Sequence, residues 1–198
     1  SSHALQQRRC QTVQFDAAIF TNLSRDHLDY HSDMAAYAAA KRLLFTDYAP
    51  SFAIINHDDA YGRQWFAELN GGMQMLSFGL KQGAELRAEI LAVDIGGMNI
   101  RIIGPWGSEE VRTCLLGEFN VSNLLAATGT LVLLGMPWHV VLHQLEVMQP
   151  VPGRMMRLGG QPGQPVVVVD YAHTPDALES ALHAVRAHLN GKLVCVFG

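Results

Sequence analysis

The chain has 198 residues, 49% of them hydrophobic, enough to bury one large core or one core and part of a second. Its formal net charge is −4 and no run or stripe of lysine and arginine occurs, which argues against a nucleic-acid-binding surface. The most apolar stretch, residues 124–138, is short for a membrane span and is broken by Thr128, Gly129, Thr130 and Gly135, which argues against membrane insertion.

In chain order, "FDAAIFTNL" (residues 15–23) is a nearly continuous apolar run, the pattern of a buried parallel strand. The polar loop "SRDHLDYHSD" leads from it into "DMAAYAAAKRLLF" (residues 33–45), a helix that Ser32 or Asp33 can cap. Met34, Tyr37, Lys41, Leu44 and Phe45 share one face of that helix, while Arg42 is turned about 100° away toward water. "FAIINHDD" (residues 52–59) followed by "AYGRQWFAEL" repeats the strand-then-helix order, which indicates a parallel α/β sheet. From residue 73 the pattern changes. "QMLSFG", "RAEILAVDI", "MNIRIIG" and "EEVRTCLL" are short β-rich runs between glycine-containing turns and predict an antiparallel, hairpin-rich section. A helix is expected from about Asn120 to Gly135, with Pro137 beyond it, and a second over residues 138–147.

Residues 149–165 hold four of the eight prolines and are rich in glycine, so a domain boundary is placed near residue 155, giving units 1–155 and 156–198. A βαβ unit is expected after it. "VVVV" (residues 166–169) reads as a buried strand, and Thr174 caps a helix with Pro175 at its first position. Leu178, Ala181, Leu182, Val185 and Leu189 form that helix's inner face, and "KLVCVFG" reads as the next parallel strand. The three cysteines, Cys10, Cys114 and Cys195, are far apart and read as reduced thiols of a cytosolic protein.

Ligands of an open α/β sheet bind beyond the carboxyl ends of its strands, and three polar clusters fall at such places. Asn22, Ser24, Arg25, Asp26, His27, Asp29 and His31 follow the first strand, and serve either as Mg²⁺ or Mn²⁺ ligands or as a hydrogen-bonded loop. Asn56, His57, Asp58 and Asp59 are explained by a polar helix start. Asp170, Tyr171, His173, Thr174 and Asp176 follow the valine strand, where a carboxylate either binds ribose hydroxyls or caps the helix. Asn120 and Asn123 lie three apart on one helix face, suited to an adenine edge or, for one of them, to an N-cap. Arg154 sits at the joint between the units, where a guanidinium can clamp phosphate. Lys41 is read either as a snorkelling lysine with its ammonium at the rim, or as an amine held inside for chemistry.

"SSHALQQRR", "TNLSRDHLDYH", "YAAAKRLLF", "GEFNVSNLLAA", "VPGRM" and "VVVVDYAHTPDALESAL" occur in this order. Together they closely resemble the Mur ligases of peptidoglycan synthesis, specifically the branch that adds a diamino acid to UDP-MurNAc-L-Ala-D-Glu. The resemblance implies a parallel-sheet central ATPase domain with an antiparallel β section, followed by the start of a Rossmann-like C-terminal domain. It implies a monomeric cytoplasmic enzyme whose substrates are ATP, UDP-MurNAc-L-Ala-D-Glu and meso-diaminopimelate or L-lysine, working through an acyl phosphate with Mg²⁺. By the same resemblance Lys41 carries CO₂ as a carbamate and, with His27, holds Mg²⁺. Ser1, Gln7 and Arg9 match residues that contact the UDP-MurNAc-dipeptide. Asn120, Arg154 and Asp170 match ATP-binding residues, and His173 either orients the nucleotide or braces its loop.

No G-x-x-x-x-G-K-[ST] loop occurs, and the glutamate that the family places just before Ser1 is missing. A chain that starts without methionine and stops after a strand is expected to be a fragment, inactive by itself. Three other readings are a folylpolyglutamate synthase, whose corresponding strand ends in a "DGAHNP"-like string, a metal-dependent hydrolase with a carbamylated lysine, and a non-catalytic binding module. The hydrolase needs several ligand histidines at strand ends, and only His27 is well placed. The binding module gives no reason for Lys41, His27, Asn120 and Asp170 to occur together.

Overall fold

The structure, a computed structural model, describes residues 1–24, 30–69, 72–161 and 163–197. A short helix α1 (Ser2–Gln6) precedes strand β1 (Ala17–Phe20), helix α2 (Met34–Thr46), strand β2 (Phe52–Asn56) and helix α3 (Ala60–Glu68). Strands β3 (Gln74–Gly79), β4 (Leu86–Asp94), β5 (Gly97–Gly104) and β6 (Gly107–Thr113) follow, then helices α4 (Glu118–Leu133) and α5 (Trp138–Val147). Strands β7 (Met156–Gly159) and β8 (Val166–Val169) and helix α6 (Pro175–Ala187) complete the order.

Strands β1 to β6 form one sheet in sequence order, parallel from β1 to β4 and antiparallel from β4 to β6. "QMLSFG" is thus part of the parallel section and not of the antiparallel one. Its apolar pattern carries no information on direction; α3 is the crossover that lets β3 run alongside β2. Strand β4 pairs with β3 over only two residue pairs. Beside them the Glu85 carboxylate accepts from the Ser77 N–H at 2.9 Å and from its hydroxyl at 3.0 Å, a side chain standing in for ladder bonds.

The period of two along β2 divides the core between the faces of the sheet. Ala53 and Ile55 pack with Ala18, Phe20, Phe45 and Trp65 beneath α2 and α3. Ile54 packs on the opposite side with Leu76, Phe78, Leu86, Leu125 and Leu142 beneath α4 and α5. Helix α2 is capped by Asp33, whose carboxylate accepts from the Ala36 N–H at 2.8 Å. Arg42 is turned to the solvent side, where it forms an exposed ion pair with Glu68 of α3 at 2.7 Å. Asp59 caps α3 through the Tyr61 and Gly62 amides and also accepts from Leu23 N–H at 3.0 Å, so it ties down the segment after β1. Asp58 does the same after β3, accepting from the Leu80 and Lys81 amides.

Helix α4 begins at Glu118 with Gly117 as its N-cap, so Asn120 is not the cap. It ends in a Schellman motif: Gly135 (φ 97°) donates to Val132, and Met136 donates to Leu131.

Strands β7 and β8 form a separate two-stranded antiparallel sheet. This corrects two expectations. The valine strand is half-exposed, alternating along its length, and its ladder partner is the glycine-rich joint itself, residues 156–159. Residues 192–197 are assigned no strand, because a strand is defined by its ladder and no described residue pairs with them. Helix α6 packs through Ala184 and Val185 on Leu116 and Met155, a small third core joining the two sheets' units.

Two outcomes test this account. A Cβ at Gly62 would lie 1.9 Å from the Asn56 carbonyl oxygen. Gly62→Ala is therefore expected to destabilise by about 1–3 kcal/mol in urea unfolding, although alanine is the better helix former. Arg112 grips the Asp94 carboxylate at 2.7 and 2.9 Å and, with the Gly96 amide, holds that carboxyl below its usual range. A carboxyl depressed in the folded state stabilises fully above its unfolded pKa of about 3.9 and loses that contribution as pH falls through the folded value. The pair is solvent-exposed, so Asp94→Asn should cost under about 1 kcal/mol near neutral pH, with the difference from wild type vanishing in acid.

Candidate functional site

Two groups of polar residues stand apart from the core. The first lies around α1 and α2. Ser1 caps α1, its hydroxyl accepting from the Ala4 N–H at 3.3 Å. Helix α1 ends with Arg8 at φ 54°, while the Arg8 and Arg9 amides donate to the Leu5 and Ala4 carbonyls, so Arg9 leaves the helix exposed. Gln7 donates to the Tyr30 hydroxyl at 3.1 Å. Beneath them Ser2 and His31 are buried and 3.0 Å apart, and the His31 ring stacks on Tyr37. Lys41, one turn beyond Tyr37, is half-buried; its Nζ donates to the Asn22 carbonyl at 3.4 Å and lies 5.0 Å from the centre of the Tyr37 ring. The amine therefore reaches the loop at the carboxyl end of β1, where an open α/β sheet holds its ligands. His27 falls in residues 25–29, outside the described residues. Among the described residues, no three His, Cys, Asp or Glu side chains are placed to hold a metal ion.

The second group lines a cleft of about 600 Å³ between α4 and α6. Asn120 and Asn123 project from α4, Arg154 and Asp170 from the open end of the β7–β8 hairpin, and Ser180 and Ala181 from α6. The two asparagines are linked, Asn123 Nδ2 donating to Asn120 Oδ1 at 3.3 Å, and Asn120 Nδ2 reaches back to the Leu116 carbonyl at 2.8 Å. Asp170 Oδ2 accepts from the Met155 N–H at 2.9 Å, which holds Met155 at φ 47°, directly after Arg154. The Arg154 guanidinium lies 4.8 Å over the Tyr171 ring, a cation–π contact that keeps its charge at the mouth of the cleft. His173 does not line the cleft. Its Nδ1 is 3.0 Å from the Tyr171 carbonyl, so it braces the loop after β8. Thus Asn120, Arg154 and Asp170 come together, whereas Ser1, Gln7, Arg9 and Lys41 gather elsewhere. Sequence reasoning missed Tyr171 as the platform for Arg154 and missed the buried His188, whose setting "RAHLN" looks like any polar helix end.

A mixed α/β sheet with an amine at one strand end, packed beside a helix-and-hairpin section with a cleft between α4 and α6, is the build of an α/β protein whose ligands gather beyond its strand ends. The family follows from comparison. The model of the Mur ligase middle domain matches residues 1–131, and that of the Mur ligase, glutamate ligase domain matches residues 153–198. The chain belongs to the Mur ligase family. It is 49% identical over 200 residues to the UDP-N-acetylmuramoyl-L-alanyl-D-glutamate--2,6-diaminopimelate ligase of Xanthomonas campestris pv. campestris (strain 8004), covering all of this chain and 40% of that relative. The chain thus spans about two-fifths of the length of the curated relatives it matches. A solved structure of a ligase of the same name superposes with TM-score 0.82 at 34% identity, over 96% of this chain and 39% of that one. MurF from Acinetobacter baumannii shares the fold, with TM-score 0.77 at 24% identity over 89% of this chain and 38% of its own.

Proposed function

We propose that this chain is the nucleotide-cleft and acceptor-binding part of an ATP-dependent ligase that joins 2,6-diaminopimelate, or less favourably L-lysine, to UDP-MurNAc-L-Ala-D-Glu. The observation that carries the reading is the convergence of Asn120, Arg154 and Asp170, drawn from three separated stretches, on one cleft. The 49% identity to a diaminopimelate ligase favours the substrate class and the diamino acid over a folate acceptor. In this reading units 1–155 and 156–198 supply the cleft's two walls. Asn120 and Asn123 present amides to the adenine, Asp170 accepts from ribose hydroxyls and Arg154 meets phosphate.

The D-glutamyl carboxylate of the acceptor attacks the γ-phosphorus of ATP, giving an acyl phosphate and ADP. The amine of the diamino acid then attacks the acyl carbon, and inorganic phosphate leaves as the amide forms and the amine loses a proton. Ser1, Gln7 and Arg9, exposed on and just after α1, are the acceptor's contacts. Lys41 is the site of a carbamate. Its neutral amine adds to CO₂, losing a proton, and the resulting carboxylate with His27 would hold Mg²⁺. Mg²⁺, when bound, neutralises charge on the transferring phosphoryl group. The donor set fits this use only with the modification, since an ammonium accepts no metal and no other ligand triplet occurs among the described residues. No described helix is long and apolar enough to cross a membrane.

Two experiments on the intact ligase test the reading. Asp170→Asn keeps an acceptor for the Met155 N–H but removes the charge. It is expected to raise the KM for ATP about 10- to 150-fold, with the KM for the UDP-sugar peptide nearly unchanged. An unaltered KM for ATP removes Asp170 from the nucleotide site. For Lys41, the alanine variant should lose activity, and short carboxylic acids such as acetate should restore part of it at fixed ionic strength. Lys41→Arg should stay inactive, because a guanidinium neither takes up CO₂ nor binds Mg²⁺. Full activity in Lys41→Arg would return Lys41 to a plain cation on the Asn22 carbonyl.

A further inference from the structure

The end of α6 carries a histidine that this chemistry does not use. His188 is the C-cap residue of the helix and is only 5% exposed. Both ring nitrogens are spent on the main chain of the larger unit. Nδ1 lies 2.7 Å from the Asp94 carbonyl oxygen at the end of β4, and Nε2 accepts from the Gly117 N–H at 3.0 Å. A carbonyl only accepts and an amide N–H only donates, so the two partners require the neutral ring with its proton on Nδ1. The Asp94 carboxylate is turned to Arg112 and the Gly96 amide, and the next carbonyl, of Ile95, accepts from Arg157 of β7 at 2.6 Å. The β4–β5 turn is therefore held from both α6 and β7.

Gly117 has no side chain to cap α4, and its own N–H would be a buried orphan without the imidazole. Three residues on stands Asn120, on one wall of the cleft; one turn back along α6 from Ala184 stand Ser180 and Ala181, on the other. We infer that His188 is a positioning residue for the nucleotide cleft: its Nδ1–H form fastens α6 to the start of α4 and to the β4–β5 turn, and so sets the separation of the two walls. The inference rests on the proposal that ATP occupies this cleft.

The test is made in the intact ligase with steady-state kinetics and amide hydrogen exchange. His188→Phe keeps the ring's bulk and removes both hydrogen bonds. It is expected to raise the KM for ATP about tenfold, leave the KM for the UDP-sugar peptide within about twofold, and speed exchange of the Gly117 amide. His188→Gln, whose Oε1 can accept from the Gly117 N–H, should recover most of the ATP affinity, and His188→Asn, which keeps only a donor toward Asp94, should not. An unchanged KM for ATP in His188→Phe, or equal rises in both KM values, makes His188 a packing residue and overturns the inference. If the phenylalanine variant does not fold, the glutamine and asparagine variants decide, and equal KM values for ATP in those two overturn it. Asp170→Asn separates the two levels. If it too leaves the KM for ATP unmoved, the nucleotide reading fails; if it raises that KM while His188→Phe does not, only the role of His188 fails.

Discussion

The close approach of α6 to the first turn of α4 is the constraint on which the cleft depends. Gly117 sits at φ 88°, and a Cβ there would lie 2.9 Å from the Ala184 Cβ. A glycine is therefore needed twice over, for its backbone angle and for the space. With that contact made, Leu116, Met155, Ala184 and Val185 exclude water from the joint. The hydrophobic gain is modest because the cluster is small, so directional contacts carry much of the orientation. His188 and Arg157 supply them, each ending on a carbonyl of the β4–β5 turn.

Around the sheet, most charged and polar side chains near strand ends are structural. Asp58 and Asp59 hold the segments after β3 and β1 by their backbone amides, and Asn56 donates to the Thr21 carbonyl. These bonds satisfy main-chain groups that have left the ladder, which is where an unpaired amide is costly. Lys41 differs in kind. Its Nζ donates to the Asn22 carbonyl at 3.4 Å and lies 5.0 Å over the Tyr37 ring, on a helix face where Tyr37 and Phe45 are buried.

The cleft between α4 and α6 contrasts with the α1–α2 region in how it is built. Its residues come from a helix, a hairpin and the strand end that follows, and the Asp170 bond to Met155 links two of those sources directly. That bond uses one carboxylate oxygen to hold Arg154's neighbour in a left-handed conformation that costs a non-glycine residue roughly 1–3 kcal/mol. Beside that turn the exposed Arg154 guanidinium lies 4.8 Å over the Tyr171 ring.

Periodicity and composition alone determined much of this molecule. The apolar runs of β1 and β2, a cap for α2 at Ser32 or Asp33, the Thr174 cap, the limits of α5 and the glycine stop of α4 are local, because each rests on a repeat or a cap within a few residues. The motif strings likewise carried the family. Strand direction was not local: "QMLSFG" joined the parallel section through α3, and "VVVV" found its partner in the proline- and glycine-rich joint, since ladder bonds depend on what lies alongside. The meeting of Asn120, Arg154 and Asp170 in one cleft was decided by tertiary structure for the same reason, and so was the burial of His188. Its partners are 94 and 71 residues away in the chain. No window of sequence contains both a ring nitrogen and the carbonyl or amide that fixes its proton, so only folding brings them within 3 Å.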